Sequence, residues 1–305
     1  MAILIGTTNI DGTGTSKNLT KDNTTYIQED SYLLWNKSGI TIACTDHDDL
    51  IKLDKIIINS DQWNKIGYKE ANISSNSTFI DINNIVDVNI FNKSESGFST
   101  LNITNVKRGQ IDTSNSASSD TINIGVKSNS DSWSNTFDID TGRGDDTVTL
   151  ENIEGSQYTE FSINVGKGND IVDLSQLSAA SRDDKERHVD GGKGFDILIT
   201  NGDDTITFEG FEAIQGKGFN QTLTLDSDDL ASNSKATTGL IVTDIDLAFS
   251  TEITLIDVDD LTNKQTREIE RKGFDADEYH QVHVLSDGVE YTLLTNDDSF
   301  DVAFS

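Results

Sequence analysis

Between residues 137 and 150 apolar and polar positions alternate, break at a pair of glycines, and alternate again: Phe137-Asp-Ile-Asp-Thr-Gly-Arg-Gly-Asp-Asp-Thr-Val-Thr-Leu150. A period of two sends successive side chains to opposite faces of an extended chain, so the pattern predicts a strand, a tight turn and a second strand. It returns at residues 161–174 and 187–200, and in weaker form at 211–224. The first turn glycines of the four copies are Gly142, Gly166, Gly192 and Gly216, spaced by 24, 26 and 24 residues. One corner per repeat of this length implies coils stacked on one another. The expected fold is all-β: a right-handed parallel β-helix or β-roll, with the four corners stacked in a row.

The same alternation reaches upstream without the glycines. Ile111-Asp-Thr and Asp120-Thr-Ile-Asn-Ile124 flank a Ser/Asn stretch just as the equivalent segments flank Gly142 and Gly144, which reads as an older copy whose turn has lost its glycines. Further β-branched runs at 39–43, 55–59, 77–82, 87–90 and 100–104, separated by Asn, Ser and Asp turns, predict additional coils. From about residue 226 the rhythm changes. Acidic clusters at 226–229 and 257–260, a helix over 261–272 ended by Gly273, and strands at 241–245 and 289–294 suggest a C-terminal cap, with a separate small domain as the alternative. The expected organisation is 1–110 for coils without ion motifs, 111–225 for the ion-binding coils, and 226–305 for the cap.

Composition changes this picture in two ways. The chain has no proline, as stacked strands require, because every strand donates N–H groups to a neighbour. It also carries 53 acidic against 23 basic residues, a formal charge of -30. That balance argues against nucleic acid and for cations, and its self-repulsion would loosen the chain unless multivalent cations bind. The single Cys44 excludes an intramolecular disulfide, and Cys44 with His47 has no further ligand at zinc spacing. The N-terminus lacks the charged and apolar regions of an ordinary secretory signal, and no stretch reads as a membrane span.

The turns themselves carry the candidate chemistry. Each sets two glycines, which permit positive φ and aim backbone carbonyls at a common centre, two residues ahead of a carboxylate. Ca²⁺ takes about six to eight hard oxygen ligands, more than one turn offers, so adjacent coils would share each ion. The candidate ligands are Gly142, Gly144 and Asp146; Gly166, Gly168 and Asp170; Gly192, Gly194 and Asp196; and Gly216, Gly218 and Asn220. Four stacked corners would leave three interstices, and Asn220 in place of Asp marks a weaker site or the end of the row. A degenerate fifth turn with Asp204 is expected at the opposite corner of its coil. Val148, Val172, Leu198 and Ile206 should point into the core.

These turns resemble the nonapeptide Gly-Gly-x-Gly-x-Asp-x-U-x of the RTX (repeats-in-toxin) family, with U a large apolar residue. Residues 191–199 match every fixed position, and 141–149 and 165–173 miss only the first glycine. The resemblance implies Ca²⁺ as the bound ion, type I secretion of an unfolded chain led by an uncleaved C-terminal signal, and folding outside the cell. The acidic, hydroxyl-rich and apolar ending at 295–305 is similar to such signals. The coil of 24 to 26 residues departs from the family's commoner coil of two nonapeptides, which puts the ion count in doubt.

No zinc-protease or lipase signature is present, and the odd separation of His280 and His283 on one strand sends them to opposite faces. The third turn position is basic in every copy, at Arg143, Lys167, Lys193 and Lys217. These side chains could balance neighbouring carboxylates or form a strip for an anionic glycan or envelope component. Phe195 and Phe219 could stack beside them, and the charged ladder argues against an ice-binding face. The expectation is a secreted calcium-binding protein acting without catalysis in surface adhesion, surface layer or biofilm matrix; the alternative is a polysaccharide lyase or epimerase on a β-helix.

Overall fold

The computed structural model describes residues 2–5, 15–18, 24–29, 40–43, 45–46, 49–50, 55–59, 70–75, 77–94, 97–114, 117–127, 135–152, 159–177, 187–202, 205–218, 221–233, 239–297 and 299. Their strands fall mainly into one sheet of fourteen and one of nine. The chain alternates between the two. Asn135–Asp140 lies in the nine-stranded sheet and Thr147–Asn152 in the other, and each pairs in parallel with its counterpart one coil on, Thr159–Asn164 and Ile171–Asp173. The molecule is a parallel β-helix.

The period-two pattern explains the core. In one sheet Ile90, Ile111, Ile139, Ile163, Val189 and Phe208 stand in register from coil to coil, and all are buried. In the other, Leu101, Ile122, Val148, Val172, Leu198 and Ile214 form the facing column. Val148, Val172, Leu198 and Ile206 therefore point inward as expected. A third column runs Gly109, Phe137, Phe161, Arg187. Gly109 leaves room for the Phe137 ring, and the buried Arg187 donates Nε–H to the Thr159 carbonyl at 2.8 Å. On the outer faces stacked amides bond one another, Asn89 to Asn72 and Asn123 to Asn102, each at 2.9 Å.

The upstream β-branched runs are strands of the same sheets: Ile40–Ala43 pairs with Glu70–Ser75, and Lys55–Asn59 with Phe79–Asn83. At the other end Leu240–Thr243 pairs in parallel with Ala213–Gln215 and with Val289–Thr295, after which His280–Ser286 and Thr254–Asp260 continue the fourteen-stranded sheet antiparallel. Helix α1 spans Ser227–Asn233 and α2 spans Asn263–Arg271. Thr262 and Gln265 form a reciprocal capping box at the start of α2, and Gly273, at φ +93°, follows its end. Ile269 of α2 packs with Ala213, Ile241 and Leu294, covering the outside of the sheet where the coils end.

The register corrects one expectation. The strand before Gly216 is Ala213–Gln215, and it pairs with Ile197–Ile199 of the fourteen-stranded sheet. The turns of Gly142, Gly166 and Gly192 instead follow strands of the nine-stranded sheet. The fourth copy thus stands half a coil out of phase with the other three. What stacks on Gly192 is Gly210, whose neighbour Glu209 lies opposite Asp190.

Candidate metal centre

The corner between the sheets is a stack of turns bonded along the helix axis. The Lys167 N–H donates to the Gly142 carbonyl and the Lys193 N–H to the Gly166 carbonyl, each at 2.9 Å. Gly168, at φ +154°, crosses the turn before it so closely that a Cβ would overlap the Gly144 carbonyl oxygen. Only glycine lets the turns stack at the spacing of hydrogen-bonded strands, about 4.8 Å. Upstream, Ser114 and Ser118 take the corresponding places against Gly142 and Gly144.

Directly after each turn a carboxylate is turned inward. Asp146, Asp170 and Asp196 are 1, 0 and 0 % exposed. One oxygen of each accepts a backbone N–H from the coil before: Asp120 N–H to Asp146 at 2.7 Å, Asp146 N–H to Asp170 at 2.7 Å, and Asp170 N–H to Asp196 at 2.9 Å. The other oxygen of each is buried and has no hydrogen-bond partner. Burial, with repulsion between successive carboxylates, pushes Asp146 up to about 6, Asp170 to about 7 and Asp196 to about 8. Backbone N–H groups pull the other way but do not offset the desolvation.

The row is longer than the glycines alone indicate. Asp120, 1 % exposed, holds Ser99 and Ser118 hydroxyls at 2.6 and 2.8 Å and leaves its second oxygen unpartnered in the same way. At the far end the Asp196 N–H donates to the Glu212 carboxylate at 2.9 Å. Asp120 was visible in the sequence as part of a glycine-less copy. Glu212 was not, because it follows Asp196 by 16 residues where the other intervals are 24 and 26.

Gly142, Gly144, Asp146, Gly166, Gly168, Asp170, Gly192, Gly194 and Asp196 are thus brought together in one stack. Gly216 and Gly218 are not part of it, and Lys217 reaches Asp173 at 3.1 Å. Asp204, Asn220, Phe219, Cys44 and His47 lie outside the described residues, as do 298, 300 and 301–305 of the proposed secretion signal.

A divalent cation fits these residues. The coils of Asp146, Asp170 and Asp196 each contribute an unpartnered buried carboxylate oxygen, the turns ahead of them carry glycine carbonyls, and a carbonyl that accepts one N–H, as those of Gly142 and Gly166 do, keeps a second lone pair. Among the described residues no three His, Cys, Asp or Glu side chains converge on one point, so carboxylates from adjacent coils would share an ion with backbone oxygens. Among the same residues no helix is long and apolar enough to cross a membrane. No family model, curated protein or solved structure matches the chain.

Proposed function

We propose that this protein is an extracellular calcium-binding β-helix whose coils lock together when Ca²⁺ occupies the row from Asp120 to Glu212, and that it serves a non-catalytic role in surface adhesion, surface layer or biofilm matrix. The supporting observation is the set of buried carboxylate oxygens without partners at Asp120, Asp146, Asp170 and Asp196. A stack of desolvated like charges is costly, and a multivalent cation supplies the charge that offsets it. Asp146, Asp170 and Asp196 would hold the ions, with the glycine carbonyls of Gly142, Gly144, Gly166, Gly168, Gly192 and Gly194 completing the shell. Sites with few carboxylates each fill at roughly 10⁻⁴ to 10⁻³ M Ca²⁺, the range of extracellular modules, which favours an extracellular setting.

The test is far-UV circular dichroism of the whole chain in EDTA and in millimolar calcium. EDTA should leave a weak β signal that calcium restores. Identical spectra together with no heat of calcium binding by calorimetry would overturn the reading. Asp170→Ala, in the middle of the row, should weaken two neighbouring sites at once and lower the measured stoichiometry.

A further inference from the structure

Outside the same corner runs a groove of about 450 Å³. One wall is basic: Arg143, Lys167 and Lys193 stand in parallel register, one per coil, and all are exposed. The other wall holds the acids Asp140, Asp190 and Glu209, with the amide of Asn164 between the first two, in register at the ends of their strands. These acids are distinct from the buried row, since their side chains face the groove rather than the core. The floor between the walls is the backbone of Gly142, Gly166, Gly192 and Gly210, so nothing fills the groove from below.

Like charges stacked about 4.8 Å apart repel one another: the basic wall carries this cost from coil to coil, and the other wall carries it between Asp190 and Glu209, while Asn164 separates Asp190 from Asp140. Among the described residues Arg143, Lys167 and Lys193 make no ion pair, whereas Lys217 is committed to Asp173. The two walls thus face each other without pairing. A ligand that complements both walls presents anions along one edge and hydrogen-bond donors along the other, repeating at the coil spacing.

We infer that this groove binds an anionic polysaccharide, with uronate carboxylates on Arg143, Lys167 and Lys193 and sugar hydroxyls donating to Asp140, Asp190 and Glu209. An extended pyranose chain repeats at a length close to the coil rise, so successive sugars meet successive coils. A polyphosphate supplies the anions but no hydroxyls for the acidic wall, and a neutral glycan supplies the hydroxyls but leaves the basic column unpaired. The inference uses the outer face of the corner and stands apart from the cation reading, which concerns its interior.

Short oligogalacturonates, neutral oligogalactans and inorganic polyphosphate are the probes, titrated by calorimetry in millimolar calcium with circular dichroism recorded on every sample. Oligogalacturonate should bind the wild type, with affinity falling at raised salt, and both other probes should bind at least about tenfold more weakly. Lys167→Glu with Lys193→Glu should abolish binding, and Asp190→Asn with Glu209→Gln should weaken it by about tenfold, with spectra and calcium stoichiometry unchanged in both. Unchanged affinity in the charge-reversed variant overturns the inference, as does equal binding of the neutral glycan. Equal binding of polyphosphate overturns the assignment to a glycan. Loss of calcium binding with glycan binding retained would count against the cation row and leave the groove standing.

Discussion

At Asp170 two demands meet: one carboxylate oxygen ties two coils together through the Asp146 N–H, and the other is stranded in the interior. With no cation, burial holds the acid at about 7 against an ordinary 3.8, and Asp146 and Asp196 at about 6 and 8. A folded-state value raised in this way favours the protonated form. The contribution to stability is full below the ordinary carboxylate range and is lost as pH rises through 6 to 8. The β signal of EDTA-treated protein should therefore be stronger at pH 5 than at pH 8. Calcium binding should show the opposite trend, weakening as protons return to the row. Asp170→Asn removes the charge but keeps an oxygen for the Asp146 N–H, so it should stabilise the metal-free protein at pH 8 by about 2 to 4 kcal/mol while reducing calcium stoichiometry. A metal-free β signal that is flat with pH in the wild type would contradict this account. The glycines make a separate prediction. Gly168→Ala forces a Cβ into the Gly144 carbonyl and should cost at least about 3 kcal/mol. At Gly218 a Cβ meets nothing within 4 Å, so Gly218→Ala should cost only the strain of its positive φ, about 1 kcal/mol, as read by thermal melts in calcium.

Among the elements, α2 couples the end of the helix to the last rungs of the row. It packs Ile269 against Ala213, Ile241 and Leu294, and the Lys272 ammonium lies 3.6 Å from the centre of the Phe195 ring in the third turn. Thr262→Ala breaks the capping box and should cost about 1 kcal/mol, lowering the melting temperature by a few degrees. Ile269→Ala uncovers part of the sheet and should cost about 2 to 4 kcal/mol. The helix was legible in the sequence from its position before Gly273, and the strands from their alternation, because both signals are local. The phase of the fourth turn was not. Gly216, Lys217 and Gly218 reproduce the local pattern, yet nothing in those residues specifies which sheet the preceding strand joins. That is decided by the short interval between Asp196 and Glu212, which brings the next rung of the row to a residue preceded by the single glycine Gly210 in place of a Gly-x-Gly turn. The carboxylate site was legible wherever a turn and its Asp kept their spacing, and it was missed where a Glu from a shorter coil took over the same hydrogen bond.

For the whole molecule, a charge of -30 acts at two depths. Surface repulsion is screened by salt, since at 1 M the screening length is about 3 Å, but the buried row is shielded from mobile ions of single charge. In EDTA, about 1 M NaCl should therefore recover less of the β signal than millimolar calcium, and calcium should raise the melting temperature progressively with concentration. Full recovery by NaCl alone would mean that surface repulsion, not the interior row, holds the metal-free chain open. The antiparallel strands that finish the fourteen-stranded sheet have a bearing on solubility. Coils that stack by backbone hydrogen bonds offer any passing strand a surface on which to continue, and a stack of this kind is a seed for its own fibre. Here His280–Ser286 runs against the direction of the coils, and the outermost strand, Thr254–Asp260, runs with them but sets Asp257, Asp259 and Asp260 in solvent along the exposed edge. A second molecule arriving there meets a line of negative charge. Growth of the sheet is halted at this edge, and the protein can be rich in adhesive backbone without polymerising through it.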